Sequence, residues 1–183
     1  MTITAAEARA AYETADRLYS LQEVEAAMDR MAGEITARFR DLAPLVLCVM
    51  NGGLIPAGRL LTRLDFPLHL DYVHATRYRG ATSGGELKWL KRPSEPLAGR
   101  HLLIIDDILD EGYTLEAIVA ACRAEGAASV ASAVAVEKRH DRGCGYRADF
   151  VGLEVPDRYV FGYGMDYKEY LRNAPGIFAV QGL

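Results

Sequence analysis

Cysteine is scarce in this sequence, and close cysteine pairs are absent. Cys48, Cys122 and Cys144 are the three cysteines in 183 residues. A secreted disulfide framework uses more cysteines, in an even number, and a zinc site uses close pairs, so neither class of protein is indicated. Cys48 and Cys122 lie among apolar residues, which is typical of buried free thiols. We therefore expect a reducing compartment, the cytoplasm.

The sequence also lacks an excess of positive charge and a long apolar run. Lysine and arginine number 21 against 25 aspartates and glutamates, a net charge of −4. This balance gives no support to a protein that coats nucleic acid or an anionic membrane, so we expect neither partner. The longest uncharged stretch, 42–58, is interrupted by Pro44, Gly52, Gly53 and Pro56, which does not suit a membrane span. Charged residues interrupt the N-terminus from Glu7 onward, so we expect no signal peptide.

The composition and periodicity of the sequence are those of one α/β domain, 1–183. Half of the residues are hydrophobic and a quarter are charged. Ser20 and Glu23 form a capping box, which opens a helix that we predict to end near Arg40. Further predicted helices are 4–16, 54–64 and 113–125, and predicted strands are 45–50, 68–74, 101–105, 129–136, 150–155, 159–161 and 177–180. Continuous apolar strands between helices predict a mainly parallel sheet with helices on both faces.

Residues 102–114 combine acidic side chains with a glycine-containing turn at the start of a helix. Asp106 and Asp107 follow the predicted strand, and Asp110-Glu111-Gly112 leads into the helix. Such a turn directs backbone N–H groups toward an anion. The lysine of a Walker loop is absent, while adjacent carboxylates suit a ribose diol and Mg²⁺. The segment therefore predicts a ribose 5-phosphate site, although an isolated Asp-Asp pair would more often be a plain strand end.

This segment resembles the phosphoribosyl diphosphate (PRPP) signature of the type I phosphoribosyltransferases. Other segments resemble the hypoxanthine-guanine branch: 49–53 its pyrophosphate loop, 136–139 and 149–152 its purine-recognition segments, and 155–167 its C-terminal hood. The resemblance covers about 15–180. It implies the type I phosphoribosyltransferase fold, a mainly parallel twisted sheet flanked by helices. The core would be at about 20–148, and a small hood would combine about 149–183 with N-terminal residues.

The resemblance implies a role for each part of the site. Asp110 would be the catalytic base that takes the proton from N7 of the purine. The residues implied to bind PRPP are Asp106, Asp107, Asp110, Glu111, Gly112, Tyr113 and Thr114. Those implied to bind pyrophosphate are Asn51, Gly52, Gly53 and Arg172. The segment 77–86 is implied to be a lid, and it would begin with Arg77 and Tyr78. Those implied to bind the purine are Lys138, Tyr159, Val160 and Asp166, and Mg²⁺ would be held by Asp106, Asp107 and Asp166.

Three positions depart from the residues that are usual in the family. Asn51 replaces a common cation, Arg77 replaces a serine, and Glu111 replaces threonine or serine. We expect Arg77 to supply part of the charge that Asn51 lacks, and the loop at Glu111 to bind phosphate through backbone amides. The resemblance also implies a strained, often cis, peptide bond between Met50 and Asn51.

The implied reaction transfers the phosphoribosyl group of PRPP to hypoxanthine or guanine, and yields IMP or GMP and pyrophosphate in purine salvage. Lys138 has only hydrogen-bond donors, so it would favour a 6-oxo group over the 6-amino group of adenine. Xanthine has the same 6-oxo group, and a xanthine- or guanine-preferring enzyme therefore stays open. A non-catalytic nucleotide-binding regulator on the same fold is a further alternative, which the presence of Asp110 and Lys138 disfavours. The family implies a homodimer or homotetramer.

Overall fold

The elements of secondary structure follow the expected alternation of strands and helices. The computed structural model describes residues 3–77 and 87–182. Its helices are α1 (Ala5–Thr14), α2 (Leu21–Phe39), α3 (Leu54–Leu61) and α4 (Tyr113–Ala124). Its strands are β1 (Asp16–Ser20), β2 (Leu45–Val49), β3 (His69–Arg77), β4 (Leu87–Lys91), β5 (His101–Leu109), β6 (Ser129–Arg139), β7 (Phe150–Pro156), β8 (Val160–Phe161) and β9 (Gly176–Ala179). Within these described ranges, no helix has the length and apolar character needed to cross a membrane.

A six-stranded sheet of order β4-β3-β2-β5-β6-β7 forms the centre of the molecule. All of its strands are parallel except β4, which pairs antiparallel to β3 at the edge. Successive side chains of a strand point to opposite faces. In β5, Leu103 and Ile105 belong to the core formed with α2 and α3, while Leu102 and Ile104 belong to the core formed with α4. These two covered faces confirm the predicted α/β class and mainly parallel sheet.

The two central strands, β5 and β6, are longer than predicted. β5 continues past 105 and β6 continues past 136. They extend together because they pair with each other, with Ile108 opposite Val136. Asp106 and Asp107 therefore lie on a strand, although we predicted them to follow one, and Lys138 likewise lies on β6. Backbone pairing on neighbouring strands holds the acidic pair and the lysine in place.

Strands at the edges of the fold were missed in the sequence. The first helix ends at Thr14, and the residues after it form β1, which pairs with β9 near the other end of the chain. β4 was not predicted, and it pairs with β3. β3 extends to Arg77, so the residue predicted to be the first of the lid is the last residue of a strand. Tyr78 and the rest of the predicted lid lie outside the described residues. Each missed strand depends on a partner that local periodicity does not reveal.

A second, smaller sheet of order β1-β9-β8 combines segments from both ends of the chain. The rings of Phe161 and Phe178 stack with their centroids 5.6 Å apart, and Tyr12 meets Phe178 edge-on at 5.0 Å. After β8 the chain reaches the main sheet, where a Cβ atom on Gly164 would lie 2.3 Å from the carbonyl oxygen of Gly52. This close approach fixes the smaller sheet against the carboxyl end of β2.

Candidate active site

Two adjacent carboxylates lie near the carboxyl end of β5. Asp107 is 9% exposed, and its Oδ1 accepts a hydrogen bond from the Ile108 N–H at 2.8 Å. Oδ1 of Asp106 accepts from the Asp107 N–H at 2.9 Å. Burial raises the pKa of both carboxyl groups, and the charge of Asp107 raises the pKa of Asp106 further. Two like charges at adjacent positions, one buried and one half-buried, favour the binding of a cation or of hydroxyl donors.

The loop after β2 packs directly on Asp107. The Met50–Asn51 peptide bond in it is cis, which confirms the expectation from the resemblance. Gly52 is buried, and a Cβ atom on it would lie 2.0 Å from Oδ2 of Asp107. Only a glycine permits this approach of loop and carboxylate. Asn51 is exposed at the start of the loop, and Gly53 leads into α3. The predicted pyrophosphate loop is therefore in contact with Asp107, a residue predicted to bind PRPP.

Arg172 connects this part of the site to the segment after β8. Its Nη1 donates to the Gly164 carbonyl oxygen at 2.8 Å, and its Nη2 lies 2.7 Å from Oδ1 of Asp166. Nη1 also lies 3.8 Å from Oδ2 of Asp107. The guanidinium group thus bridges two of the three carboxylates that were predicted as metal ligands. Asp107 and Asp166, which are 59 positions apart in the sequence, thus share one arginine.

The loop between β5 and α4 presents the first amide groups of a helix. Gly112 precedes α4 with φ of 82°, in the left-handed region that glycine adopts without strain. Tyr113 and Thr114 form the start of the helix, and the N-terminal end of a helix favours an anion. Glu111 is exposed, and its carbonyl oxygen accepts from the Cys144 N–H at 3.0 Å. This support by Cys144 was missed in the sequence.

Two side chains from the end of β6 and the residue after it contact Asp110. Nζ of Lys138 lies 2.7 Å from Oδ2 of Asp110, and Nε2 of His140 lies 2.7 Å from Oδ1. The Asp110 side chain is 42% exposed. Burial raises the pKa of Asp110, but hydrogen bonds from Lys138 and His140 outweigh this effect and hold the pKa below its ordinary value. Asp110 is therefore a carboxylate at neutral pH, able to accept a proton.

His140 is a site residue that we missed in the sequence. Its signal is its spacing of two residues from Lys138, because alternate residues of an extended strand share one face. We had limited the strand to 129–136, and the alternation was therefore not followed as far as His140.

An open cleft of about 140 Å³ adjoins Asp110. Its lining includes Asp110, Glu111, Lys138, His140, Arg142 and Tyr146. In the part of the chain that the structure describes, Tyr159 and Val160 lie outside this lining. Tyr159 is 39% exposed and meets Tyr167 edge-on at 5.4 Å, whereas Val160 is buried in β8. The cleft thus unites the predicted base with the predicted purine-binding lysine, but not with the predicted aromatic platform.

The acidic pair can serve as a partial metal site. Among residues 3–77 and 87–182, no three His, Cys, Asp or Glu side chains are grouped as a metal site. Mg²⁺ is usually held by one or two carboxylates and by substrate phosphates, so a complete protein cage is not required. Asp106 and Asp107 supply hard oxygen ligands. Burial raises the pKa of both carboxyl groups and the charge of Asp107 raises that of Asp106 further, so a nearby cation would stabilise both ionised forms. Asp166, in contrast, is paired with Arg172.

Known proteins share both the sequence and the fold of this chain. A family model of the phosphoribosyl transferase domain matches residues 14–169. A hypoxanthine-guanine phosphoribosyltransferase of Bacillus subtilis (strain 168) is 37% identical over 161 residues, which cover 87% of this chain and 89% of that protein. A hypoxanthine-guanine-xanthine phosphoribosyltransferase of Tritrichomonas foetus is 31% identical over 165 residues, with 87% and 88% covered.

A crystal structure of a hypoxanthine phosphoribosyltransferase from Staphylococcus aureus is similar in fold. It superposes with a TM-score of 0.86 at 26% identity and covers 91% of each chain. The similarity in sequence and in fold therefore extends over both the acidic strand and the segments that surround it. The chain belongs to the phosphoribosyltransferase family, within which it is similar to hypoxanthine-guanine phosphoribosyltransferases over most of its length.

Proposed function

We propose that this protein transfers the 5-phosphoribosyl group of PRPP to hypoxanthine or guanine, with release of pyrophosphate. The products are IMP or GMP, and the role is purine salvage. Family membership supplies the type of reaction. The observation that carries the choice of base is the contact of Asp110 with Lys138 at 2.7 Å, in a cleft at the end of the strand that bears Asp106 and Asp107.

The proposed binding of PRPP uses three groups of residues. Asp106 and Asp107 accept hydrogen bonds from the ribose hydroxyls, and the amides of 110–114, with the Thr114 hydroxyl, bind the 5-phosphate. The loop at 51–53 and Arg172 bind pyrophosphate. Mg²⁺, held by Asp106 and Asp107 and by substrate oxygens, would neutralise charge between the carboxylates and the leaving group. A lid that begins at Arg77 and Tyr78 stays a prediction.

The proposed chemical step uses Asp110 as the general base. As a nitrogen of the purine bonds to C1 of the ribose, the C1–O bond to pyrophosphate breaks and its electron pair leaves with pyrophosphate. The N7 proton passes to Asp110, whose lowered pKa keeps it ionised beforehand. Lys138 donates to the 6-oxo group of the base. Tyr159 would stack on the purine, and the backbone of Val160 would contact the edge of the base. Asp166 would lie near the base.

Xanthine is a second candidate substrate. Lys138 is placed to recognise the 6-oxo group, which hypoxanthine, guanine and xanthine share. The relative from Tritrichomonas foetus is named for all three bases. Adenine, which has an amino group at that position, offers no acceptor there to the ammonium group of Lys138.

An assay with PRPP, Mg²⁺ and each of hypoxanthine, guanine, xanthine and adenine tests the proposal. We expect nucleotide formation from 6-oxopurines and little from adenine. Lys138→Ala should lower kcat/KM for the 6-oxopurines by about 10–100-fold, the usual effect of losing a hydrogen bond from a charged donor. Arg9→Ala, which removes an exposed cation on α1, is the matched control and should have parental kinetics. Absence of nucleotide with every 6-oxopurine would refute the proposed function.

We also propose that the whole chain forms one phosphoribosyltransferase domain, with the β1-β9-β8 sheet as its hood, and that it assembles as a homodimer or homotetramer. Exposed apolar side chains on β3 and β4 support contact with a second copy; they are Leu70, Tyr72 and Leu90. Light scattering of the purified protein measures the assembly, and a monomer at all concentrations would exclude the oligomer.

We also propose a cytoplasmic location, which fits the three free cysteines of the protein.

A further inference from the structure

His140 is nearly buried although it lies in a polar cleft. Its side chain is 5% exposed, while Asp110, which it contacts, is 42% exposed. Nε2 of His140 lies 2.7 Å from Oδ1 of Asp110, and Nζ of Lys138 lies 2.7 Å from Oδ2. Each oxygen of the carboxylate therefore has its own partner. The arrangement leaves the carboxylate little freedom to rotate about its χ2 angle.

The hydrogen bond at the other ring nitrogen identifies the tautomer of His140. The backbone N–H of Arg142 donates to Nδ1 at 3.1 Å, so Nδ1 carries a lone pair. A neutral imidazole with a lone pair on Nδ1 has its proton on Nε2. Nε2 is thus the donor in the contact with Asp110. The loop backbone, through Arg142, holds His140 as a donor to the carboxylate and not as an acceptor of its proton.

We propose that His140 is a positioning residue that holds Oδ1 of Asp110 and directs Oδ2 toward the purine. This inference deepens the proposed function and depends on the role given there to Asp110. Lys138 can turn toward the 6-oxo group when a base binds, and Oδ2 is then available to the N7 proton. In the step itself, N9 of the purine forms the bond to C1, pyrophosphate leaves with the electron pair of the C1–O bond, and the N7 proton moves to Oδ2. His140 keeps its own proton throughout and donates to Oδ1 before and after the transfer.

The other charged and titratable groups of the cleft belong to the same neighbouring segments. From the β5–α4 loop Glu111 faces the cleft, from β6 Glu137, Lys138 and Arg139, and from the following loop Arg142, Tyr146 and Arg147. Of these, Lys138 is the group that shares the carboxylate of Asp110 with His140. Loss of the His140 donor would therefore raise the pKa of Asp110 toward its ordinary value, while Lys138 continues to lower it.

The first test compares His140→Ala, His140→Gln and His69→Ala with the parent in steady-state assays with hypoxanthine and PRPP. His140→Ala should lower kcat by about tenfold or more, because the base is no longer oriented. The KM for PRPP should change little, and the acid limb of the pH profile of kcat should move to higher pH. His140→Gln keeps an N–H donor near the position of Nε2 and should recover most of kcat. His69→Ala removes an exposed histidine at the opposite end of the sheet and should match the parent.

The outcomes separate this inference from the proposed function. If the parent forms no nucleotide from a 6-oxopurine, the proposed function is wrong and the inference fails with it. If the parent is active and His140→Ala keeps its kcat and acid limb, or if His140→Gln is no better than His140→Ala, the positioning role alone is wrong. Nitrogen-15 NMR of the parent protein tests the geometry even if a variant fails to fold. A proton on Nδ1 and a lone pair on Nε2 in neutral His140 would overturn the inference.

Discussion

Substitution of Gly52 by alanine should damage the site more than the fold. A Cβ atom at this position would lie 2.0 Å from Oδ2 of Asp107 and 2.3 Å from its Cγ. Ordinary contact begins at 3.4 Å, so the carboxylate or the loop must move by about 1.4 Å. Asp107 can rotate away only by losing the Ile108 N–H bond and the contact with Arg172. Overpacking of this kind costs about 1–3 kcal/mol, and a displacement of about 1 Å costs about 100-fold in rate.

Thermal unfolding and PRPP kinetics measure the two effects separately. In a chain of this size each ~1 kcal/mol lowers Tm by about 2–4 °C, so Gly52→Ala should lose several degrees. Its kcat/KM for PRPP should fall by about 100-fold. Gly33→Ala is the matched control: it lies within α2, nothing lies within 4 Å of the added Cβ, and alanine favours a helix by about 0.5–1 kcal/mol. Parental Tm and parental PRPP kinetics in Gly52→Ala would refute the reasoning.

Three further changes test the acidic groups and a helix cap. Asp110→Asn should lower kcat by about 100-fold or more while the KM for PRPP changes little; equal losses in steady-state kinetics would indicate a structural role. Asp106→Asn should abolish turnover yet raise Tm without Mg²⁺. Because burial and Asp107 raise the pKa of Asp106, the ionised carboxylate destabilises the fold, and the gain in Tm should grow as pH rises through that pKa. A gain independent of pH would contradict this. Ser20→Ala removes the capping box of α2 and should cost about 1 kcal/mol in denaturant unfolding, with unchanged kinetics; an equal midpoint would count against the cap.

Helices and strands were predicted correctly where the sequence pattern that defines them is local. The capping box at Ser20 opens α2 where it was predicted, and both capping hydrogen bonds are present. The buried strands were recognised from continuous apolar runs, which need no knowledge of their neighbours. β1 was not predicted: Asp16 was taken as the end of helix 4–16, and the next three residues were assigned to no element. β1 forms a strand because β9 pairs with it. The extension of β5 past Ile105 has the same cause, since β6 supplies the partner.

In the candidate site, too, local features were predicted and contacts between distant segments were not. The acidic pair and the glycine turn were identified from residue type and order, whereas Lys138 was identified from the resemblance to the family. They did not identify His140, or the loop carbonyl and amide contacts that support Glu111 and His140. The contacts of His140 with Asp110 and of Cys144 with Glu111 join segments about 30 residues apart, and no local pattern specifies such a distance. The bond from the Arg142 N–H to His140 is local.

The sequence by itself determined the class of fold and the acidic strand that leads to a helix N-terminus. It also showed that the chain has no excess of positive charge with which to bind an anionic ligand. Backbone conformation, strand periodicity and residue chemistry are local properties, so they can be recognised along the chain. Only the tertiary structure decided that Gly52 contacts Asp107, that Arg172 bridges Asp107 and Asp166, and that His140 contacts Asp110. Those contacts arise where parallel strands end at one edge of the sheet, because sheet order and not chain order determines which residues meet there.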